Sequence, residues 1–422
     1  MSDLPSMNFM LVYLVTGGEV IGPGGWAKYL RELASYLVSC NYRVKILCRM
    51  GKIYTNVDEI STISQSGNAA FSNPKTVFSL YGLMQHLPNP LSVFLGMIKI
   101  TKDIEHERGC QKILHIHDLA SSLLIAFLVR KFFNLPFVVQ IHGFPLKEQY
   151  IKLSMAKSSL SSFVWFLTKM WHRIAVKLLQ SNDAPIIVNN NEVKSFYESF
   201  GIQPNRLRVV ASGLNVEKCV KELLSEDEAK ARLGMTRLEK YVVIGYIGGL
   251  RPEKNIGILV EAFGNILKSS CEVRAKLIII GDGPLRNSLE KLIGEYELSD
   301  HVILTGFVPD AYRLLNAIDI YVLPSLSEGS PFSLIEAMTA GKAIIASDIP
   351  AVREIVEDGK ETLLFDPHSP EQLKDAILKL YHNPGLRREL GENARKKAKQ
   401  YDINVVFPKI IEVYRQVLRN RV

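Results

Sequence analysis

The chain has 422 residues, of which 47% are apolar and 22% are charged, a composition typical of globular proteins and a length suited to two domains. The longest compact apolar run, Leu119–Val129, has 11 residues, whereas a membrane-spanning helix needs about 20, so the sequence argues against a membrane-spanning protein. The five cysteines are widely spaced and form no C-x-x-C pair, which argues against a zinc site or a disulfide framework and favours reduced thiols in the cytosol.

Strand-like and helix-like segments alternate along the first half of the chain. Predicted helices include Ala27–Val38 and Ser121–Phe132. The predicted strands are Phe9–Val15, Tyr42–Cys48, Lys112–Ile116, Phe137–Ile141, Ile186–Val188 and Leu207–Ala211. This alternation indicates a parallel sheet covered by helices on both faces. Residues 50–90, rich in Ser, Asn and Gly, are predicted to be a long loop or insertion near a ligand.

The same pattern restarts after residues 218–240, a charged segment predicted to be a linker. The strands predicted there are Val242–Tyr246, Ala275–Ile280, His301–Leu304, Ile320–Leu323 and Ala343–Ala346. The sequence therefore predicts two doubly wound α/β domains, 1–217 and 241–400, and a C-terminal helix within 401–422 that packs back on the first domain. Ligands of such sheets bind beyond the carboxyl ends of the strands, so we expect the site in a cleft between the domains.

The net charge of +8 is unevenly distributed between the two halves. Residues 1–181 carry 19 Lys and Arg against 10 Asp and Glu, whereas the remainder carries 32 against 33. One interpretation is an anionic partner for the first half, such as phosphates, acidic lipids or nucleic acid. The other is a charge imbalance without a partner.

A glycine-rich loop, GPGGWAKYL, follows the first strand. Gly22, Gly24 and Ala27 match the dinucleotide fingerprint G-x-G-x-x-A, which also demands an acidic residue at the end of the second strand. That strand ends in Cys48, Arg49 and Met50, so the nicotinamide interpretation survives only as an NADP site with Arg49 on the 2′-phosphate. The glycines still favour the close approach of an anion to the start of the next helix.

The most informative segment, SLSEGSPFSLIEAMTAG, follows the strand Ile320–Leu323. Ser330 is predicted to cap a helix over Pro331–Ala340, and Gly341 is predicted to end it. The amides near Phe332, Ser333 and Leu334 would then favour an anion. Glu328 before the helix and Glu336 within it suit the hydroxyl groups of a sugar and a ribose. The alternative is a solvated Glu328 and a surface ion pair for Glu336.

Two further loops follow strands of the second half. In GYIGGLRPEKN, Arg251 and Lys254 are placed to bind a diphosphate, or alternatively are two surface cations. In LTGFVPD, the backbone of Gly306–Val308 is placed to pair with the edge of a base, and Phe307 fits core packing equally well.

At these residues the sequence resembles the family-4 retaining glycosyltransferases, which have the GT-B fold. The signature is Glu328, seven residues, then Glu336, within SEGSPFSLIEAMTAGKAIIASD. The segments that accompany it in the family's order are GGLRPEKN, IIIGDGP, TGFVPD and VEDGKETLLFDP. The first half matches more loosely, through GPGGWAKYLRELASYL, ILHIHD and VVQIHGF.

The resemblance implies transfer of a sugar from a nucleoside-diphosphate donor, with a UDP-sugar favoured, to a hydroxyl acceptor with retention at the anomeric carbon. It implies no metal and no other cofactor, and no nucleic acid partner. The acceptor stays open between a lipid-linked molecule and a polysaccharide or glycan precursor. The implied catalytic residues are His142, Glu328 and Lys254. The implied donor-binding residues are Gly24, Gly25, Arg251, Lys254, Val308, Gly329, Ser330, Pro331, Phe332, Ser333 and Glu336.

One departure from the family pattern concerns the diphosphate. Similar members read Gly-Arg-Leu where this chain has Gly248-Gly249-Leu250, so the usual phosphate arginine is Gly249 here. Whether Arg251 reaches the diphosphate instead stays open, whereas the assignment of Lys254 is unaffected.

No Asp in the sequence is followed two residues later by another Asp, so the metal-binding D-x-D motif is absent, and no carboxylate is an evident nucleophile. We therefore expect front-face attack, in which the leaving phosphate accepts the proton of the acceptor and His142 assists by hydrogen bonding. His115 and His117 alternate on one strand and make a weak ligand set. Two alternatives remain, a GT-B sugar-nucleotide epimerase and a non-catalytic sugar-nucleotide-binding protein.

The segment Lys147–Lys177 carries six Lys and Arg, one acidic residue and several aromatic side chains. It fits an amphipathic helix at an anionic membrane surface, or a core helix with a basic outer face. We therefore predict a cytoplasmic protein, with a peripheral location at the inner face of the membrane under the first interpretation. The sequence predicts no oligomeric state.

Overall fold

The computed structural model describes residues 10–16, 25–47, 53–54, 90–107, 110–143, 159–235, 241–269 and 272–419. The chain folds into two units, Met1–Gly213 with Ile403–Val422 and Leu214–Asp402. Gly24, most of the insertion predicted over 50–90, and residues 147–158 of the basic segment lie outside the described residues. No helix in the described ranges is both long and apolar enough to span a bilayer.

The first unit is built on a seven-stranded sheet with the order β3-β2-β1-β4-β5-β6-β7, parallel except for the short β3. Its strands are β1 (Met10–Val15), β2 (Arg43–Leu47), β3 (Ile53–Tyr54), β4 (Gln111–Ile116), β5 (Phe137–Ile141), β6 (Ile186–Val188) and β7 (Leu207–Val209). Its helices are α1 (Gly25–Ser39), α2 (Pro90–His106), α3 (Ser121–Phe133), α4 (Ser159–Gln180), α5 (Asn191–Ser199) and α14 (Ile403–Arg419).

The alternation of side chains along each strand divides the helices of the first unit between the two faces of its sheet. Ile116 and Val139 belong to a core that includes buried side chains of α2, α3 and α4. On the opposite face, His115 contacts Tyr414 of α14, and Gln140 bonds to Tyr29 of α1. The C-terminal helix α14 therefore packs beside α1 in the first unit.

The second unit contains a six-stranded, fully parallel sheet with the order β10-β9-β8-β11-β12-β13. Its strands are β8 (Val242–Ile247), β9 (Ala275–Ile280), β10 (Val302–Gly306), β11 (Ile320–Leu323), β12 (Ala343–Ser347) and β13 (Leu363–Phe365). Its helices are α6 (Val216–Glu222), α7 (Glu226–Arg232), α8 (Ile256–Ser269), α9 (Arg286–Glu295), α10 (Phe332–Thr339), α11 (Pro350–Arg353), α12 (Pro370–His382) and α13 (Pro384–Ala398). The predicted fold class, two doubly wound α/β domains, is confirmed.

The segment predicted to be a linker, residues 218–240, differs from that prediction in its first part. Helices α6 and α7 lie there and belong to the second unit. Ser225 and Glu228 form a reciprocal capping box at the start of α7. That S-x-x-E signature is visible in the sequence, but helices of two turns carry too little apolar periodicity to stand out.

Candidate active site

The loops with the predicted site residues meet where the sheet of the second unit reverses its strand order. From β8 the chain adds β9 and β10 on one side, then crosses to β11, β12 and β13 on the other. The connections that follow the neighbouring strands β8 and β11 therefore lead to opposite faces of the sheet, and doubly wound sheets bind ligands at such a switch point. These loops carry Lys254 and Glu328.

A short 3₁₀ turn, Pro252–Lys254, follows β8 and holds the lysine towards the loop after β11. Asn255 ends the turn in the left-handed region at φ 53°, and its side-chain amide donates to the carbonyl of Pro367. The carbonyl of Glu253 accepts from the amide of Leu326 at 2.9 Å. This backbone bond ties the turn after β8 to the loop after β11.

Lys254 and Glu328 form an ion pair in which Nζ lies 2.7 and 2.8 Å from the two carboxylate oxygens. Ser325 donates its hydroxyl to Oε1 of Glu328 at 2.7 Å. Glu328 is only 7% exposed, so the alternative of a solvated carboxylate is wrong. Lys254 is likewise mostly buried, so it is not a surface cation. Ser325 is a partner that the sequence analysis missed.

The hydrogen-bonding capacity of this pair is not used up. An ammonium has three donors, and the two oxygens of Glu328 engage two of them. A carboxylate offers about four lone-pair sites, of which these two bonds and the Ser325 hydroxyl occupy three. Counting the side-chain bonds seen in the described part of the chain, the pair can therefore donate one hydrogen bond and accept one from a ligand while staying intact.

Glu336 lies inside α10 and is also 7% exposed, so the alternative of a surface ion pair is wrong. Two buried tyrosines, Tyr246 and Tyr321, lie beside the carboxylates. Burial raises the pKa of both phenols well above their usual value, and the negative charge of Glu328 raises them further. Both hydroxyls therefore stay protonated, and Tyr246 donates to the carbonyl of Gly249 at 3.1 Å.

The start of α10 differs from the prediction by one residue. The helix begins at Phe332, and Pro331, in an extended conformation, occupies the N-cap position without a side-chain hydrogen bond. Ser330 is therefore not the cap, and Pro331 is not the first helical residue. Gly341 follows the helix with φ at 68°, as a C-terminal glycine does. Gly329 and Ser330 belong to the loop ahead of the helix, and Ser333 lies in its first turn.

Arg251 lies beside Gly249, the position at which the resemblance leads us to expect an arginine. A Cβ atom built on Gly249 would lie 3.2 Å from Nε of Arg251. The same Nε is 3.3 Å from Glu253 Oε1, while the buried Oε2 of Glu253 has no hydrogen-bond partner among the described residues. The Arg251 side chain, 43% exposed, thus brings a guanidinium to the place where a side chain at position 249 would begin. Glu253, which holds it, was missed by the sequence analysis.

The predicted base-binding residue Val308 follows β10, which is separated from β8 by β9. Val308 is half-buried, whereas Phe307 is 44% exposed, so the interpretation that Phe307 packs in the core is wrong.

The turn after β9 lies between the loops that follow β8 and β10. Gly281 has φ at 152°, and a Cβ atom there would lie 1.8 Å from the carbonyl oxygen of Gly248, so only glycine fits.

In the first unit, His142 follows β5 and belongs to a cluster of imidazole rings. His142 Nε2 lies 2.9 Å from His117 Nδ1, and these two rings stack at 5.2 Å. His115 continues the row and bonds to the Tyr414 hydroxyl at 2.7 Å. Gly25, the other residue of this unit implied in donor binding, begins α1. The sequence analysis did not predict the pairing of His142 with His117, which lies 25 residues earlier and follows the neighbouring strand β4.

Burial sets the protonation of this histidine cluster. It lowers the pKa of His115 and of His142 to about 3, and the pKa of His117 well below its usual value. All three rings are therefore neutral near pH 7. In the part of the chain that the structure describes, the buried Nε2 of His117 has no hydrogen-bond partner, and an orphaned lone pair costs less than an orphaned N–H. We therefore assign the His117 proton to Nδ1, which donates to Nε2 of His142, so that His142 carries its proton on Nδ1.

Comparison with known proteins agrees with this architecture. Among curated sequences, alpha-D-kanosaminyltransferase of Streptomyces kanamyceticus is 24% identical over 330 residues, which are 76% of this chain and 81% of that protein. Sucrose-phosphate synthase from Thermosynechococcus elongatus superposes with a TM-score of 0.73 at 20% identity, over 97% of this chain and 100% of the other. HepE from Anabaena, solved in complex with UDP, gives a TM-score of 0.70 at 18% identity, over 96% and 99%.

Two family models together account for most of the chain. Residues 23–218 match the model described as Glycosyltransferase Family 4, and residues 228–397 match Glycosyl transferases group 1. The structural neighbours identify the two-unit architecture as the GT-B fold. The chain therefore belongs to glycosyltransferase family 4.

Proposed function

We propose that the protein transfers a sugar from a nucleoside-diphosphate donor, with a UDP-sugar favoured, to a hydroxyl acceptor, with retention and without a metal. The observation that carries the proposal is the buried Lys254–Glu328 pair between the loops that follow β8 and β11. The pair offers one cationic donor and one anionic acceptor at a single place. A sugar diphosphate needs both, a cation for phosphate oxygen and an acceptor for sugar hydroxyls.

The remaining donor contacts follow from the same loops. We assign Lys254 and Arg251 to the diphosphate, Glu328 and the backbone of Gly329–Ser333 to the sugar, Glu336 to the ribose and Val308 to the base. The complex of HepE with UDP, in a related fold, supports a uridine nucleotide as the first donor to test. Gly24 and Gly25 keep their assignment near the donor phosphates as a prediction.

In the proposed reaction, the bond between the anomeric carbon and the β-phosphate oxygen breaks. The acceptor oxygen bonds to the same face of that carbon, and its proton passes to the departing phosphate oxygen. Lys254 stabilises the negative charge that develops on the diphosphate. Desolvation lowers the pKa of the half-buried His142 ring and keeps it neutral near pH 7, so it acts as a hydrogen-bond donor from Nδ1 and not as a cation.

The test begins with a thermal-shift screen of UDP-, GDP- and ADP-sugars, which identifies the donor. Turnover with that donor is then measured for His142→Ala, Lys254→Ala and Glu328→Gln. We expect each variant to lose at least about 100-fold in kcat/KM, the range for removal of one transition-state contact. Lys397→Met, which breaks another partly buried ion pair of the same unit, is the matched control and keeps its activity. Near-wild-type rates in all three site variants would refute the assignment.

Product analysis separates the proposed transfer from the rival reaction. With donor and acceptor present, we expect the anomeric carbon of the product to keep the configuration, α or β, that it has in the donor. The coupling constant of the anomeric proton, measured by NMR, reports that configuration. An epimerised donor formed in the absence of acceptor would replace the proposal with a sugar-nucleotide epimerase.

A further inference from the structure

Three helices of the first unit form one layer on one face of its sheet. Buried side chains of α2, α3 and α4, including Ile100, Leu123 and Ala175, join a single core with the strand residues Ile116 and Val139. Because all three helices cover the same face of the sheet, their outward sides point in the same direction. We call this outward surface the α2–α4 face.

Large apolar side chains are concentrated on this face. On α4, the exposed residues recur at the spacing of one helical stripe. The exposed apolar residues of the face are Leu91, Phe94 and Ile98 of α2, Phe132 of α3, and Phe163, Phe166, Met170 and Ile174 of α4. They are eight of the thirteen large apolar side chains that are exposed among the described residues, which is more than scattered surface residues produce.

The exposed charges on α4 are all positive. Lys169, Arg173 and Lys177 are exposed, and the helix contains no Asp or Glu. At about 100° per residue, Arg173 and Lys177 lie within roughly 20° of Phe166 on either side of it, so cations and apolar side chains share one surface. Lys169 lies over the ring of Trp165 at 5.1 Å. The opposite side of the helix is buried in the core, so α4 matches the predicted core helix with a basic outer face, and that outer face also carries large apolar side chains.

The other helices of the layer extend this pattern. Exposed Lys131 adjoins Phe132 at the end of α3, and exposed Lys102 continues the stripe of α2. One exposed acidic residue, Glu105, lies on the same side of α2. The α2–α4 face is therefore apolar and aromatic with a strong excess of cations.

We propose that the α2–α4 face docks on an anionic phospholipid surface. Aromatic and aliphatic side chains enter the interface between headgroups and acyl chains, while the cations bind the lipid phosphates, the pattern of an interfacial amphipathic helix. A second copy of the chain fits this face less well. A two-fold contact centred on α4 would bring the cationic surface formed by Lys169, Arg173 and Lys177 against the same surface of the second copy, and α4 has no carboxylate to neutralise it.

The experiment measures flotation of the full-length protein with vesicles of phosphatidylglycerol and phosphatidylcholine, and with vesicles of phosphatidylcholine alone. We expect binding only to the anionic vesicles, and weaker binding at high salt. Lys169→Glu with Arg173→Glu is expected to reduce the partition coefficient at least about 30-fold, since each cation near such a surface contributes about 1 kcal/mol. Phe166→Ser with Ile174→Ser is expected to reduce it about tenfold or more.

Matched controls carry the same substitutions elsewhere. Arg388→Glu with Lys396→Glu reverses two exposed cations of α13, and Val38→Ser with Val405→Ser removes two exposed apolar side chains of α1 and α14. Both controls are expected to bind vesicles within twofold of the wild type. The readout is independent of sugar transfer, so its failure leaves the proposed function standing.

Three results would overturn the proposal. One is a lack of vesicle binding by the wild type, and another is binding that neither salt nor the α4 substitutions weaken. The third is a concentration-dependent dimer, seen by analytical ultracentrifugation, that the α4 variants abolish, because it would assign the face to a second copy of the chain.

Discussion

Replacing Lys254 with methionine leaves the carboxylate of Glu328 buried beside Ser325 without its cation. The side chain of Glu328 is 6% exposed and its ion pair spans 2.7 Å, so little water can replace the ammonium. Breaking a buried pair by removing one partner costs about 3–5 kcal/mol. We expect a loss of that size in the free energy of unfolding of the second unit.

The partner substitution has a smaller expected effect. Glu328→Gln keeps an oxygen that accepts from Ser325, and the side chain of Lys254, 18% exposed, retains some contact with water. We expect a loss of about 1–3 kcal/mol. In the double variant neither charge is left unpaired. It should therefore lose at least about 2 kcal/mol less than the sum of the single losses, which is the coupling energy of a close pair.

The assay is urea denaturation of the full chain followed by two signals. All three tryptophans, Trp26, Trp165 and Trp171, lie in the first unit, so their fluorescence reports that unit alone, whereas far-UV circular dichroism reports both. The variants should shift the transition seen by circular dichroism and not by fluorescence. Losses that add within about 0.5 kcal/mol would refute the reasoning, because independent sites behave that way.

Two further predictions follow, one for the stability of each unit. Burial lowers the pKa of His115 and His142 to about 3 and that of His172 to about 4, below the unfolded value of about 6.5, so the unfolded chain binds protons that the folded chain does not. The stability that these neutral rings contribute is complete above about pH 6.5 and is lost as the pH falls, by about 2 kcal/mol per histidine at pH 5. The urea midpoint detected by tryptophan fluorescence should therefore be lower at pH 5 than at pH 7. An unchanged midpoint would contradict this prediction. In the second unit, Gly281→Ala places a Cβ atom against the carbonyl of Gly248 and is expected to cost at least about 3 kcal/mol. Gly294→Ala, whose Cβ atom would meet no described residue outside its own helix within 4 Å, is expected to add about 0.5–1 kcal/mol. Equal urea midpoints for the two variants would show that the close approach at Gly281 is absent.

The strands were predictable because strands buried on both faces read as short apolar runs. Phe137–Ile141, Ala275–Ile280 and Ile320–Leu323 were predicted with the bounds that the structure has. The first residue of α10 was not predictable, because Ser330 and Pro331 both suit the start of a helix. Which of them precedes the helix depends on the backbone conformation of Pro331. Its ψ of 90° is extended, which places it ahead of the helix.

The site residues were predictable one by one, but their pairing was not. Local sequence places Lys254 after one strand and Glu328 after another, 74 residues later. They meet because β8 and β11 are neighbours in the sheet, which is a property of the whole fold. The hydrogen bond that anchors the histidine row spans a still longer separation, since His115 and Tyr414 are 299 residues apart. The exposed apolar and basic stripe of α4 needed the structure as well, because only burial shows which side of α4 is exposed.

The central claim is that the Lys254–Glu328 pair binds a nucleoside-diphosphate sugar. Isothermal titration of the donor found in the thermal-shift screen into the wild type, into Lys254→Met with Glu328→Gln, and into the Lys397→Met control tests it directly. We predict saturable binding by the wild type and the control within twofold of each other, and binding at least about tenfold weaker in the double variant, whose second unit still unfolds cooperatively. Equal affinity in all three proteins, or no binding of any nucleoside-diphosphate sugar to the wild type, would contradict it.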